Sequence, residues 1–292
     1  MADQAGEPGE GRRGSRGAGW APLRRDRQDI FTRRISAGEP ATAVWVTMGW
    51  PHVMELLGAA GVHAGFIDLQ HVSFGLAEAQ QLILAAEAAG VSAYVRPTRV
   101  DRDEVSRILD AGASGVVFPE VEDAATARAA LAALRYPPRG VRGWGGAHTR
   151  FAGWQGGAAR DEVLGLPVGG GRPVHNADFV SRAERVACVV IVESVRAVEN
   201  IDEIVAVDGI DGVIFGWGDY SVEVGFDPYA CDAAADRVYT ACRRRDVGVA
   251  LPYSESGRER FYPGCFSVVG VDTLMFSAGL HSAVKGGRTH WS

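Results

Sequence analysis

The chain has 292 residues, 47% of them hydrophobic and 23% charged, which excludes a disordered tail and a fibre. Thirty-six acids against 30 bases give a net charge of −6, which argues against a general nucleic-acid binder. There is no run of about 18 apolar residues of the kind that spans a membrane. Cys188, Cys231, Cys242 and Cys265 form no CxxC pair, and no secretory signal precedes them, so they read as reduced thiols of a cytoplasmic protein.

Residues 1–29 mix Gly, Arg and acids, with few aliphatics, and read as a disordered leader. The remainder, 30–292, alternates short β-rich runs with helical patterns. Eight runs stand out: 43–48, 65–69, 93–97, 115–119, 188–193, 212–216, 247–251 and 267–272. They are continuously apolar rather than alternating, as expected of parallel strands buried on both faces. Between them, Asp101 three positions before Glu104 marks a capping-box variant opening a helix over 101–112, which Gly112 stops. Val195, Val198, Ile201 and Ile204/Val205 form one stripe of a helix over 195–205. Eight such units predict a single (β/α)8 TIM barrel, α/β in class. A doubly wound sheet is the alternative, but no G-x-G-x-x-G follows the first strand. The stretch 137–185 lacks a strong strand and is rich in Gly and Pro, so it reads as a long active-site loop over about 144–180.

Active sites of such barrels stand at the C-terminal strand ends. Those ends carry Asp68-Leu69-Gln70-His71, Arg96, Glu120, Glu193, Gly216-Trp217-Gly218-Asp219, Tyr253-Ser254 and Asp272. Each has a plainer explanation. Asp219 can cap a helix, Glu193 can be neutralised by Arg96, and a lone histidine is more often packed than catalytic. Trp144, Trp154 and Trp217 read first as loop anchors. Taken together, though, the groups fit one chemistry. Two carboxylates without Cys or His beside them suit a hard divalent cation such as Mg²⁺ or Mn²⁺. An arginine can stabilise an oxyanion, and a His–Asp dyad can move a proton. Backbone N–H groups at 216–219 can hold a carboxylate. These are the parts needed to make and break the enolate of a 2-oxo acid.

The motifs GFIDLQHVSFG (65–75), AYVRP (93–97), LDAGASGVVFPEVEDAATAR (109–128), RYPPRGVRGWG (135–145), VVIVES (189–194), DGVIFGWGDYS (211–221) and VGVDT (269–273) occur in an order that resembles the HpcH/HpaI aldolases. These are metal-dependent (class II) pyruvate aldolases of the phosphoenolpyruvate/pyruvate barrel superfamily. The resemblance covers roughly residues 40–285. It implies Glu193 and Asp219 as ligands of Mg²⁺, Mn²⁺ or Co²⁺, Arg96 as the enolate stabiliser, and His71 with Asp68 in acid/base chemistry. It further implies that the backbone around Gly218 and Asp219 holds the substrate carboxylate, and Gly216, Trp217, Gly218, Gln70 and Glu120 are the candidate substrate contacts. The reactants would be pyruvate or oxaloacetate and an aldehyde, on a homo-oligomer, hexamer or trimer, that exchanges C-terminal helices between neighbours. The chain departs from the pattern where Gln70 replaces an acid, Trp217 a proline, Ile191 a glutamine and Glu120 an uncharged residue, and the 155–180 region is longer than usual. Those changes surround intact ligands, which fits altered specificity in a specialised or secondary-metabolite pathway. Two alternatives stay open: a Claisen-type lyase or synthase on an acyl-coenzyme A, and a barrel without catalysis.

Overall fold

A computed structural model describes residues 29–145, 185–250 and 265–286. Residues 1–28 of the leader expected over 1–29, most of the expected 144–180 loop, and Trp154, Tyr253 and Ser254 lie outside the described residues, whereas Asp29 caps the first helix. All eight predicted strands form: β1 Ala41–Val46, β2 Ala64–Asp68, β3 Ser92–Arg96, β4 Gly115–Phe118, β5 Ala187–Val192, β6 Gly212–Phe215, β7 Gly248–Ala250 and β8 Phe266–Val271. Every neighbouring pair is parallel, in the order β7-β6-β5-β4-β3-β2-β1-β8. A parallel bridge between Val249 and Cys265 brings β7 to β8, so the sheet is a nearly closed (β/α)8 barrel. Every residue of β2, β4, β5 and β6 is buried, which explains why their runs are continuously apolar.

The helices follow their end signals. They are α1 Ile30–Ser36, α2 His52–Ala59, α3 Leu76–Ala89, α4 Arg102–Ala111, α5 Ala124–Leu134, α6 Val195–Glu199, α7 Ile201–Ile204, α8 Trp217–Glu223, α9 Pro228–Arg244 and α10 Asp272–Gly286. Asp101 caps α4 through the N–H groups of Asp103 and Glu104, and Gly112 ends it in the left-handed region at φ 106°. The reciprocal half of the capping box is not made, because the Glu104 carboxylate accepts from Thr98 instead. The single helix expected over 195–205 is two helices. Asn200 leaves helical geometry at φ −92°, ψ 6°, and its side-chain amide donates to the Glu122 carbonyl. The predicted stripe survives the break, with Val198, Ile201, Ile204 and Val205 all buried. Among the described residues, no helix is long and apolar enough to cross a membrane.

Two apolar layers hold the barrel. One lies between strands and helices; the other fills the barrel itself, with alanines (Ala43, Ala64, Ala187) interleaved with Phe66, Tyr94 and Phe266. The helix α1, which the sequence patterns do not single out, closes the end where the strands begin. Its Phe31 is fully buried, with ring centroids 5.1 Å from Phe266, 5.3 Å from Tyr94 and 5.5 Å from Phe66. Asp29 caps this helix and also accepts a short hydrogen bond from the Tyr94 hydroxyl. At the far end of the chain, α10 presents Leu274, Met275, Phe276, Leu280 and Val284 to solvent.

A buried phenyl that touches three other rings is costly to delete. Phe31→Ala is expected to lower unfolding stability by about 3–5 kcal/mol, read from the denaturant midpoint at unchanged slope. A loss below about 1 kcal/mol would show that α1 is not part of the barrel core.

Candidate active site

The strand register sets the site. At the ends of β2 and β3, Asp68 and Arg96 are direct partners. The Arg96 guanidinium takes the Asp68 carboxylate at both oxygens, Nε to Oδ1 at 2.8 Å and Nη2 to Oδ2 at 2.6 Å. The Gln70 N–H adds a third bond to Asp68 Oδ1 at 2.9 Å. One face of the guanidinium lies on the Trp45 ring, 4.3 Å from its centroid, a cation–π contact. The pair is largely withdrawn from water, the side chains being 12% and 2% exposed. Burial alone would raise the Asp68 carboxyl. The Arg96 hydrogen bonds and charge, the Gln70 N–H and the nearby His71 together hold it below its ordinary value.

Glu193 follows directly on β5. Its Oε1 accepts the Glu120 N–H at 2.7 Å, and Glu120 turns that N–H inward by adopting the left-handed region at φ 55°. Burial raises the Glu193 carboxyl; the Glu120 N–H opposes this, while the Asp219 charge adds to it. Glu193 and Arg96 form no ion pair among the described residues, so the neutralised-glutamate explanation is set aside. Gly216 lets the carboxylate come close. A Cβ at this position would stand 2.5 Å from Glu193 Cβ and 2.9 Å from its Oε2. Asp219 is the third residue of α8, whose N-cap is Gly216, and no side-chain capping bond is made there. The capping explanation for Asp219 therefore fails.

These groups share one cavity of about 410 Å³ at the C-terminal strand ends, lined by Trp45, Asp68, His71, Arg96, Glu193 and Gly216 through Asp219, among others. The expected His71–Asp68 contact takes a different form. Both residues line the cavity, but among the described residues no hydrogen bond joins them, because Arg96 and the Gln70 N–H occupy the Asp68 oxygens. Gln70 and Glu120 are not in the cavity lining; they stand beside it and touch each other, Gln70 Nε2 donating to Glu120 Oε1 at 3.3 Å. Gln70 Oε1 is buried without a partner among the described residues. Trp217 lines the cavity at 43% exposure, and Trp144 packs edge-on against Tyr136 at 5.5 Å, an anchor rather than a ligand contact. Asp272, another charged strand end, is structural. It accepts from the Thr47 N–H and hydroxyl and from the Met48 N–H, tying β8 to the end of β1.

Trp45 is a site residue that the strand-end reading passes over. It sits inside a strand, where an apolar residue reads as core. The signal was periodicity: Ala43, Trp45 and Thr47 share one face, and the last two reach the mouth. Among the described residues no group of three or more His, Cys, Asp or Glu is close enough to hold a metal. Two like carboxylates facing one cavity, one of them substantially buried, nevertheless fit a hard divalent cation that completes its shell with water or ligand oxygens.

Removing one partner of the buried pair strands the other. Asp68→Asn is expected to cost about 3–5 kcal/mol of stability at neutral pH, measured by urea unfolding. A variant as stable as the wild type would mean that Arg96 finds another anion.

Comparisons with known proteins show the family. The family model described as HpcH/HpaI aldolase/citrate lyase matches residues 41–275. A 4-hydroxy-4-methyl-2-oxoglutarate aldolase from Hapsidospora irregularis is 32% identical over 236 residues, covering 78% of this chain and 81% of its own. A hydroxypyruvate/pyruvate aldolase from Paraburkholderia phytofirmans is 32% identical over 261 residues, covering 85% and 88%. The crystal structure of an HpcH/HpaI aldolase from Desulfitobacterium hafniense superposes with a TM-score of 0.72 at 28% identity, over 88% of this chain and 96% of that one. The chain belongs to the HpcH/HpaI aldolase/citrate lyase family.

Proposed function

We infer that this aldolase forms or cleaves a 4-hydroxy-2-oxo acid through the enolate of pyruvate or oxaloacetate, with Glu193 and Asp219 as the metal-holding carboxylates. The observation that carries this reading is the convergence of those two carboxylates and Arg96 on one cavity. A divalent cation held there supplies Lewis acidity towards a 2-oxo acid and lowers the cost of its enolate. Mg²⁺, Mn²⁺ and Co²⁺ all suit two hard oxygen donors.

The chain's own residues supply the rest. Arg96 arrives with its orientation fixed by Asp68 and Trp45, and its Nη1 makes no bond among the described residues. It donates to the enolate oxygen without having to reorganise. His71 lines the same cavity and takes the proton of the C4 hydroxyl as the C3–C4 bond breaks, or returns it in the synthetic direction. The N–H groups of Trp217, Gly218 and Asp219 precede the first intrahelical bond of α8, from Tyr220 N to Gly216 O, and receive the substrate carboxylate. Among the described residues a Cβ on Gly218 would meet nothing within 4 Å, so this turn is open on its Cα side. The acyl-coenzyme A alternative has weaker support. Arg243, Arg244 and Arg245 lie at the end of α9, before β7 and therefore away from the cavity, and Arg244 approaches Asp202 at 3.8 Å. Four buried free cysteines fit a cytoplasmic setting.

Pyruvate release from a 4-hydroxy-2-oxo acid, followed with lactate dehydrogenase, tests the assignment. Glu193→Gln and Asp219→Asn are expected to abolish both turnover and Mn²⁺ binding seen by electron paramagnetic resonance. Arg96→Ala is expected to keep Mn²⁺ binding and lose at least about 100-fold in kcat. Wild-type turnover in any of the three contradicts the reading.

The exposed apolar side chains of α10 suit burial against a second copy, giving the trimer or hexamer typical of such barrels. Light scattering is expected to report an oligomer for the wild type and a smaller species for Phe276→Asp. A monomeric wild type refutes this.

A further inference from the structure

We propose that Glu120, held by Gln70, selects the acceptor: it favours an uncharged aldehyde and disfavours one that carries a carboxylate. The inference rests on the enolate reading above and adds a substrate class to it.

Glu120 is placed with unusual definition for an exposed side chain. Its backbone occupies the left-handed region at φ 55°, where a non-glycine residue is uncommon. That conformation commits its N–H to Glu193 at 2.7 Å. Its carboxylate is steered by the Gln70 amide at 3.3 Å. The bond fixes which way the amide points, since an amide oxygen turned towards a carboxylate would repel it. Glu120 therefore stands immediately beside the carboxylate assigned to the metal, just outside the cavity lining.

Charge arithmetic then separates its role from those of its neighbours. Arg96 is the only Lys or Arg in the cavity lining among the described residues, and Asp68 neutralises it. Glu193 and Asp219 are matched by the two charges of a divalent cation. Among the described residues Glu120 has no such counter-charge; Gln70 offers it an amide, not a cation. The distal end of an acceptor longer than two carbons must leave the cavity past its rim. An acceptor with a carboxylate there meets a like charge at the exposed rim, an unfavourable contact that an uncharged acceptor avoids. An aldehyde ending in a methyl or hydroxyl group pays no such penalty. This is discrimination by an unfavourable contact with the wrong substrate.

The test uses the full-length protein with Mn²⁺, pyruvate as donor, and two aldehydes of equal chain length, butanal and 4-oxobutanoate. The readout is the ratio of kcat/KM for the two acceptors, which cancels any loss common to both. The wild type is expected to favour butanal at least about tenfold, and Glu120→Gln to shrink that preference by about tenfold. Gln70→Leu, which frees the Glu120 side chain without removing its charge, is expected to shrink it less. A wild type that prefers 4-oxobutanoate, or a ratio unchanged in Glu120→Gln, overturns the proposal. Methyl-proton exchange of pyruvate in the wild type separates the two levels. Exchange with an unchanged ratio refutes only the role of Glu120, whereas no exchange refutes the enolate reading and this inference with it.

Discussion

The bidentate bond between Arg96 and Asp68 is the constraint on which the site depends. It joins two neighbouring strands at one register level, so the sheet itself delivers both partners. A guanidinium so deeply placed is tolerated only with a fully matched anion, and Asp68 supplies both oxygens. Trp45 covers one face of it. The arginine is thus preorganised before any substrate arrives, which a flexible surface arginine cannot be. The Asp68 oxygens are taken up by Arg96 and the Gln70 N–H, and His71 meets the same cavity without a hydrogen bond to them among the described residues.

The second constraint is steric. Glu193 approaches the backbone at Gly216 so closely that no side chain fits there. The same glycine opens the short helix that carries Asp219. One residue therefore borders both carboxylates that the proposed role gives to the cation. Glu120 completes the frame from the other side, accepting a left-handed backbone so that its N–H can hold Glu193. Gln70 stands beside this frame and touches it through Glu120.

Much of this was legible in the sequence. Continuous apolar runs revealed the eight strands because burial on both faces removes alternation. Charged residues at strand ends were conspicuous because nothing in the runs before them was charged. Trp45 was not legible, since an aromatic inside a strand looks the same whether it packs a core or lines a mouth. The helix α1 was missed because one buried phenylalanine in seven residues makes no periodic signal. The break at Asn200 was hidden for the opposite reason: the apolar stripe continues through it, and only a side-chain bond to Glu122 reveals the interruption. The Arg96–Asp68 bond was not legible because spacing brings His71 close to Asp68 in sequence, whereas register brings Arg96 close in space.

The central claim is that Glu193, Asp219 and Arg96 together stabilise the enolate of a 2-oxo acid. Incubating the protein with pyruvate in D₂O, with added divalent metal or with EDTA, tests it without knowledge of the acceptor. The account predicts methyl deuteration that depends on metal and disappears in Glu193→Gln. Deuteration that persists in EDTA, or none with Mg²⁺, Mn²⁺ or Co²⁺, would contradict it.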